Sequence, residues 1–209
     1  MVSSWMAYLQ FVLGARRDGA GHILSDTSLS AQLQGSERLW MLIEGTHVLT
    51  LMLFAGTILF VDLRLLGLTL RGAPVSKVTD SVLPYTIAGF VLMVITGTAL
   101  FFANPFEYYH NFFFRLKFLF LIAAAVNIFL FHHRVQANRA QWDDAARPPT
   151  AARAAAAVSL TLWIAVIISG RYVAYDWFKC QNAHGLIAVA AQCSEHDATL
   201  RRIQPELAR

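Results

Sequence analysis

Four apolar blocks, each close to the roughly 20 residues a helix needs to cross a hydrocarbon core, constrain this chain more than any other feature. They run from Leu39 to Leu63, Val82 to Ala103, Phe112 to His132 and Ala154 to Tyr175. Lipid offers no water to an unpaired N–H or C=O, so such blocks must be helices rather than separate strands. The expected fold class is all-α and integral to the membrane: a four-transmembrane-helix bundle with an N-terminal interfacial helix. Composition agrees, because 56% of the 209 residues are hydrophobic and only 14% are charged, whereas an average soluble domain carries about 25% charged residues.

Three regions follow. Residues 1–37 form an interfacial or periplasmic segment, 38–178 the four-helix membrane domain, and 179–209 a periplasmic C-terminal tail. Met1 to Leu13 is apolar and aromatic but short, and it lacks the basic n-region of a signal peptide, so it is expected to lie at the interface. Ala15 to Gly21 is rich in Gly and Arg, and a Ser/Asp/Thr-rich stretch then leads to a short helix near Leu29 to Leu33. Ser36 is placed to cap the first spanning helix, with Glu37 in its first turn. No internal repeat is visible.

Loop charge predicts orientation, since Lys and Arg in short connections stay on the cytoplasmic side. Arg64, Arg71 and Lys77 follow the first block, and Arg134, Arg139, Arg147 and Arg153 follow the third, while Asn104 to Asn111 has no Lys or Arg. Both termini are therefore expected in the periplasm, with the chain in a bacterial inner membrane. The pI of about 9.3 reflects these loops and not a nucleic-acid-binding module. Periplasmic placement permits a disulfide between the two cysteines, Cys180 and Cys193. Closing a loop of about 14 residues would stabilise the tail by roughly 3 kcal/mol in the chain-entropy treatment.

Polar groups at membrane depth are the functional candidates, because a charge there costs several kcal/mol unless it is paired or faces a polar cavity. Counting inward at about 1.5 Å per residue puts His47, Lys117 and Arg171 in one layer beneath the outer leaflet. Singly, each reads as a packing histidine or a snorkelling cation. As a layer they call for an anionic or electron-rich guest, and haem b meets that need: His47 would ligate iron, Lys117 and Arg171 would pair with propionates, and Glu44, one turn before His47, would orient the imidazole. Trp40 and Tyr175 fall nearer the interface. His110, in the outer loop with Glu107, Tyr108 and Tyr109, reads as a gate, a distal ligand or plain surface.

A second polar layer contains Asp62 and Arg64, expected to pair with each other, and His132 with His133, which are either interfacial or part of a second haem site. Gly45, Gly56, Gly89, Gly97 and Ala123 to Ala125 allow close helix approach, and Asn127 is expected to bond a neighbouring helix. No phosphate-binding loop, nucleophile triad or HExxH motif is present, so hydrolases and ATPases are poorly supported.

The string Glu44-Gly-Thr-His47-Val-Leu, with Gly56, Asp62-Leu-Arg64-Leu-Leu-Gly67, Thr96-Gly97, Phe101-Phe102, Arg115-Leu-Lys117-Phe, Asn127, His132 and Gly170-Arg171-Tyr-Val-Ala-Tyr175, resembles a family of small bacterial membrane proteins of unknown function, over about residues 25 to 178. The order of a first-helix histidine, a helix-ending Arg-Leu, a Thr-Gly, a Lys-Phe and a helix-ending histidine is also similar to HemJ-type protoporphyrinogen oxidases. That likeness implies b-type haem on His47 with Lys117 beside it, although Asp62-Leu-Arg64-Leu stands where that family has Pro-Arg-Leu. The leading expectation is a haem b electron-transfer protein with a periplasmic or membrane redox partner. The rivals are a cofactor-free membrane subunit or transporter that binds an anion or quinone, and a tetrapyrrole-oxidising enzyme. Homo- or hetero-oligomerisation is left open.

Overall fold

The computed structural model describes residues 1–19, 21–175 and 178–207. Each apolar block becomes a helix: α3 (Glu37–Leu65), α4 (Val75–Ala103), α6 (Phe112–Leu130, continued by a π-helical turn over Phe131–Val135) and α7 (Thr150–Val173). All four are long and apolar enough to cross a membrane, which is the composition of an integral membrane protein. Shorter elements surround them in sequence: α1 (Val2–Ala7), strands β1 (Arg16–Arg17) and β2 (Ile23–Leu24), α2 (Leu29–Gly35), α5 (Pro105–Tyr109), α8 (Gly185–Ala190) and α9 (Cys193–Ile203).

Helix α4 starts at Val75 rather than Val82, and the cause is local. Its first turns, Val75-Ser-Lys-Val-Thr-Asp-Ser, are too polar for a hydropathy signal, but Asp143 caps them from a distant loop. The Asp143 carbonyl accepts from Val75 N–H at 3.0 Å, its Oδ1 accepts from Ser76 N–H at 2.7 Å, and its Oδ2 accepts from the Ser76 hydroxyl. These satisfy N–H groups that a helix start leaves open. Pro84 within α4 leaves one helical carbonyl without its usual donor.

Contacts divide the chain into two compact units, one of residues 48–94 and 117–168, the other of residues 1–47, 95–116 and 169–209. The first has a core of Phe54, Ala124, Trp163 and Val166. Phe54 meets Trp163 edge-on at 4.8 Å. Gly89 admits the Phe54 backbone, since a Cβ at 89 would lie 3.1 Å from the Phe54 nitrogen. Gly45 and Gly56 do not share that packing role, because a Cβ at either would meet nothing within 4 Å. Asn127 donates to the Ala155 carbonyl at 3.0 Å and so ties α6 to α7.

Arg64 is 0% exposed and does not pair with Asp62, contrary to the simple expectation. Its Nε donates to the Ala73 carbonyl at 2.8 Å and its Nη2 to the Ala145 carbonyl at 3.0 Å. Two of the three guanidinium nitrogens are thus taken up by loop carbonyls, Nη1 is left without a partner among the described residues, and Asp62 is buried against the Ser159 hydroxyl. Gly67, at φ +70°, turns the chain out of α3 where a Cβ would lie 3.2 Å from the Ala146 carbonyl oxygen.

The second unit holds both chain ends. Its two-stranded antiparallel sheet pairs Arg16 with Leu24 and Arg17 with Ile23, a hairpin that the Gly/Arg-rich composition did not announce. Ser28 caps α2 by accepting from Ala31 N–H at 3.2 Å. From α2, Ser30 donates to the Phe102 carbonyl at 2.8 Å and Gln34 to the Ala103 carbonyl at 2.6 Å, satisfying acceptors at the end of α4. Helix α1 buries Ser3 and Ala7, and Gln10 beyond it accepts from Phe106 N–H at 3.0 Å, capping α5. On its other side Trp5 is 62% exposed and Tyr8 48%.

The segment expected to be a plain tail carries α8 and α9, joined to the chain before them by the anticipated Cys180–Cys193 disulfide. Arg115 binds it through the Ala190 carbonyl at 3.0 Å and Gln192 Oε1 at 2.8 Å.

Replacing Asp143 with Ala should lower stability by about 1 kcal/mol, the usual worth of an N-cap, whereas Asp143→Asn, which keeps an acceptor, should cost less. The Ser76 hydroxyl, the Ser76 N–H and the nearby Arg139 and Arg64 charges hold the Asp143 carboxyl below the usual carboxylate range, against a smaller opposing effect of burial. The cap is therefore at full strength above the ordinary aspartate value and weakens as pH falls through the depressed one. Thermal unfolding in nanodiscs, wild type against both variants, measures this.

Candidate functional site

His47 lies on α3 with its Nδ1 3.0 Å from the Thr96 hydroxyl of α4. The next residue, Gly97, makes room for the ring: a Cβ there would stand 3.1 Å from His47 Cε1. Thr96 is buried and the imidazole half-buried. A hydroxyl that holds Nδ1 fixes the ring's orientation, and an Nδ1–H donating to it is the tautomer in which Nε2 carries the lone pair for a metal. Thr96 therefore fills the orienting role that the sequence assigned to Glu44. Glu44 itself is exposed and makes no hydrogen bond or ion pair among the described residues. Its charge acts instead on Tyr108, whose phenol is pushed above its usual range, first by burial and then by Glu44.

The other expected site residues are placed as follows. Lys117, on α6, is half-buried and makes no hydrogen bond or ion pair among the described residues. Arg171, in the last turn of α7, is exposed, with its guanidinium 5.0 Å from the centre of the Tyr175 ring. The Tyr172 ring stacks on Phe113 at 4.8 Å. His132 is exposed and bonds its own helix, Nδ1 to the Ile128 carbonyl at 3.0 Å, and His133 lies against Phe129 at 4.2 Å. Among the described residues no group of three or more His, Cys, Asp or Glu is arranged to hold a metal ion.

His110 is 1% exposed, and both its ring nitrogens are committed to the protein. Nε2 is 2.9 Å from the Ser3 hydroxyl and Nδ1 is 3.1 Å from the Ala191 carbonyl. Beside it lies His196, 2% exposed, which the sequence reading did not single out. His196 Nε2 is 3.3 Å from Glu107 Oε1, its Nδ1 is 3.0 Å from Asp197 Oδ1, and its ring stacks on Phe106 at 4.8 Å. A signal was present: Cys193, His196 and Thr199, the buried residues of α9, recur every third position and so share one helix face.

The two close glycines make a paired prediction. Gly89→Ala pushes against the Phe54 backbone, which has nowhere to go, and should destabilise by about 1–3 kcal/mol, as overpacking does. Gly97→Ala meets only a movable imidazole edge, and the helix-propensity gain of about 1 kcal/mol should leave stability nearly unchanged while displacing the ring. Thermal melts, together with imidazole 15N shifts of His47, separate the two effects.

No curated protein and no solved structure gives a significant match to this chain. A family profile does match, over residues 40–176, a range that contains His47, Thr96, Lys117 and Arg171. By that match the chain belongs to the family of unknown function DUF6644.

Proposed function

We propose that the chain is a b-type haem protein of the bacterial inner membrane that passes electrons between a periplasmic or membrane-soluble donor and a partner, with His47 as iron ligand through Nε2. The observation that carries this reading is the His47 seat: an imidazole on an apolar helix, held at Nδ1 by Thr96 and resting against Gly97. Metal-bound histidines almost always have their second nitrogen oriented by such a partner. Haem supplies the one-electron couple when bound; the chain's own residues hold and tune it.

Further observations support the reading. Lys117 and Arg171 are cations on helices apolar enough to span a bilayer, where carboxylate groups such as propionates are their natural partners. His110 belongs, on this reading, to the network around Ser3 rather than to the iron. The likeness to HemJ-type proteins has only the order of residues in its favour. Loop charges favour periplasmic termini, and the disulfide fits an oxidising compartment. The outward Val2, Trp5 and Tyr8 of the N-terminal helix suit an interfacial position.

Detergent-purified protein should show a Soret band, and a sharpened visible band after dithionite. His47→Ala should abolish both, and Thr96→Val should weaken haem retention by about tenfold, the usual scale for an orienting partner. Protein without a Soret band or extractable haem, or His47→Ala with unchanged haem content, overturns the proposal. Colourless protein that binds a quinone or anion, more weakly as Arg171→Gln, would establish the cofactor-free alternative.

A further inference from the structure

The buried cluster around Phe106 joins three segments distant in sequence, and its hydrogen bonds and burial together set the charge of each histidine. His110 Nδ1 faces the Ala191 carbonyl, which can only accept, so Nδ1 carries a hydrogen. If the ring is neutral, Nε2 must then accept from the Ser3 hydroxyl, whose oxygen accepts in turn from Thr199 at 2.9 Å. That chain is complete with a neutral His110 and can also run in reverse from a charged one; burial beside a second imidazole that is itself charged decides for the neutral ring. His196 differs, because both its nitrogens face carboxylates, Glu107 and Asp197, so both must donate and the ring is an imidazolium. Two imidazoles with centres 5.2 Å apart, both almost fully buried, are thus held in opposite charge states.

We propose that this pair works as a proton-operated clasp on the N-terminal helix. The clasp is closed while His196 holds a proton and His110 does not, and acid opens it by placing a second cation beside the first. Ser3 is the point of attachment, since its hydroxyl bonds both His110, at the end of α5, and Thr199 of α9. The charged and titratable groups acting on the pair are Glu107 of α5, Arg115 at the start of α6, and Glu195 and Asp197 of α9; α1 contributes only hydroxyl and apolar groups.

The electrostatics agree with the geometry. Burial holds His110 below the ordinary imidazole value, helped by the charges of His196 and Arg115 and opposed by the Ala191 carbonyl and Glu195. Burial pushes His196 the same way, but Glu107 and Asp197 outweigh it and hold the ring above that value. The signs therefore oppose. A depressed imidazole destabilises the closed form as pH falls below its unfolded value, and a raised one removes stability as pH rises through its folded value. The clasp is tightest near the ordinary imidazole value of about 6.5.

Hydrogen exchange on the full-length chain in nanodiscs, corrected for intrinsic rates, tests this at the amides of residues 2–12. Protection should be greatest near about pH 6.5 and fall about tenfold by about pH 5, one unit or more below the ordinary value. His110→Gln should abolish the acid loss and keep the alkaline one, and His196→Gln the reverse. A profile that is flat with pH, or an acid loss undiminished in His110→Gln, overturns the proposal. Imidazole 15N spectra of the wild-type chain need no variant to fold: near pH 6.5 they should show one neutral Nδ1–H ring at His110 and one imidazolium at His196. Equal charge states at the two would also overturn it.

Discussion

A helix can satisfy its own backbone everywhere except at its ends, and in a chain this apolar the ends decide how the rest is arranged. Segments far away in sequence supply what is missing. Asp143 closes the start of α4, and Ser30 and Gln34 take up carbonyls at its finish. Gln10 covers the start of α5, and Arg64 gathers the carbonyls of Ala73 and Ala145 in the loops that follow α3 and precede α7. Each is a side chain with more than one donor or acceptor, or one placed where a single bond suffices. The many polar residues outside the spans are therefore structural currency for helix termini before they are anything else.

That constraint separates what the sequence reveals from what it hides. The spans were legible because hydropathy accumulates over about 20 residues, and the Cys180–Cys193 bond was legible because only one pairing exists. The early start of α4 was not, since its signal is one aspartate 67 positions away from Ser76. The terminal module was hidden for the same reason. Ser3, His110 and Thr199 are joined across separations of 107 and 196 residues, and no local pattern in a single sequence encodes such a meeting. Even there the face of α9 left a three-residue trace.

The candidate site was half legible. A histidine inside an apolar block stands out because it is expensive there, so His47 is found by cost alone. Its partner is not found that way, because a threonine is cheap in a membrane helix and carries no alarm. Glu44 looked the better partner by charge and by its one-turn spacing, yet an exposed carboxylate one turn nearer the helix start has solvent or headgroups to turn to, while the Thr96 hydroxyl is buried with the ring. Proximity across two helices outweighed proximity along one. The same reasoning misjudged Arg64, whose fork satisfies two carbonyls that no neutral side chain of its size would reach together.

The histidines show how environment, not identity, decides what an imidazole does. His132 sits in an exposed π-helical turn and bonds its own helix. His47 is half-buried and held at Nδ1 by a hydroxyl that can donate or accept, so that bond by itself does not select the tautomer. His110 and His196 are almost fully buried: two carboxylates face the cation at His196, and burial beside that cation favours the neutral ring at His110, whose hydroxyl partner would serve either state.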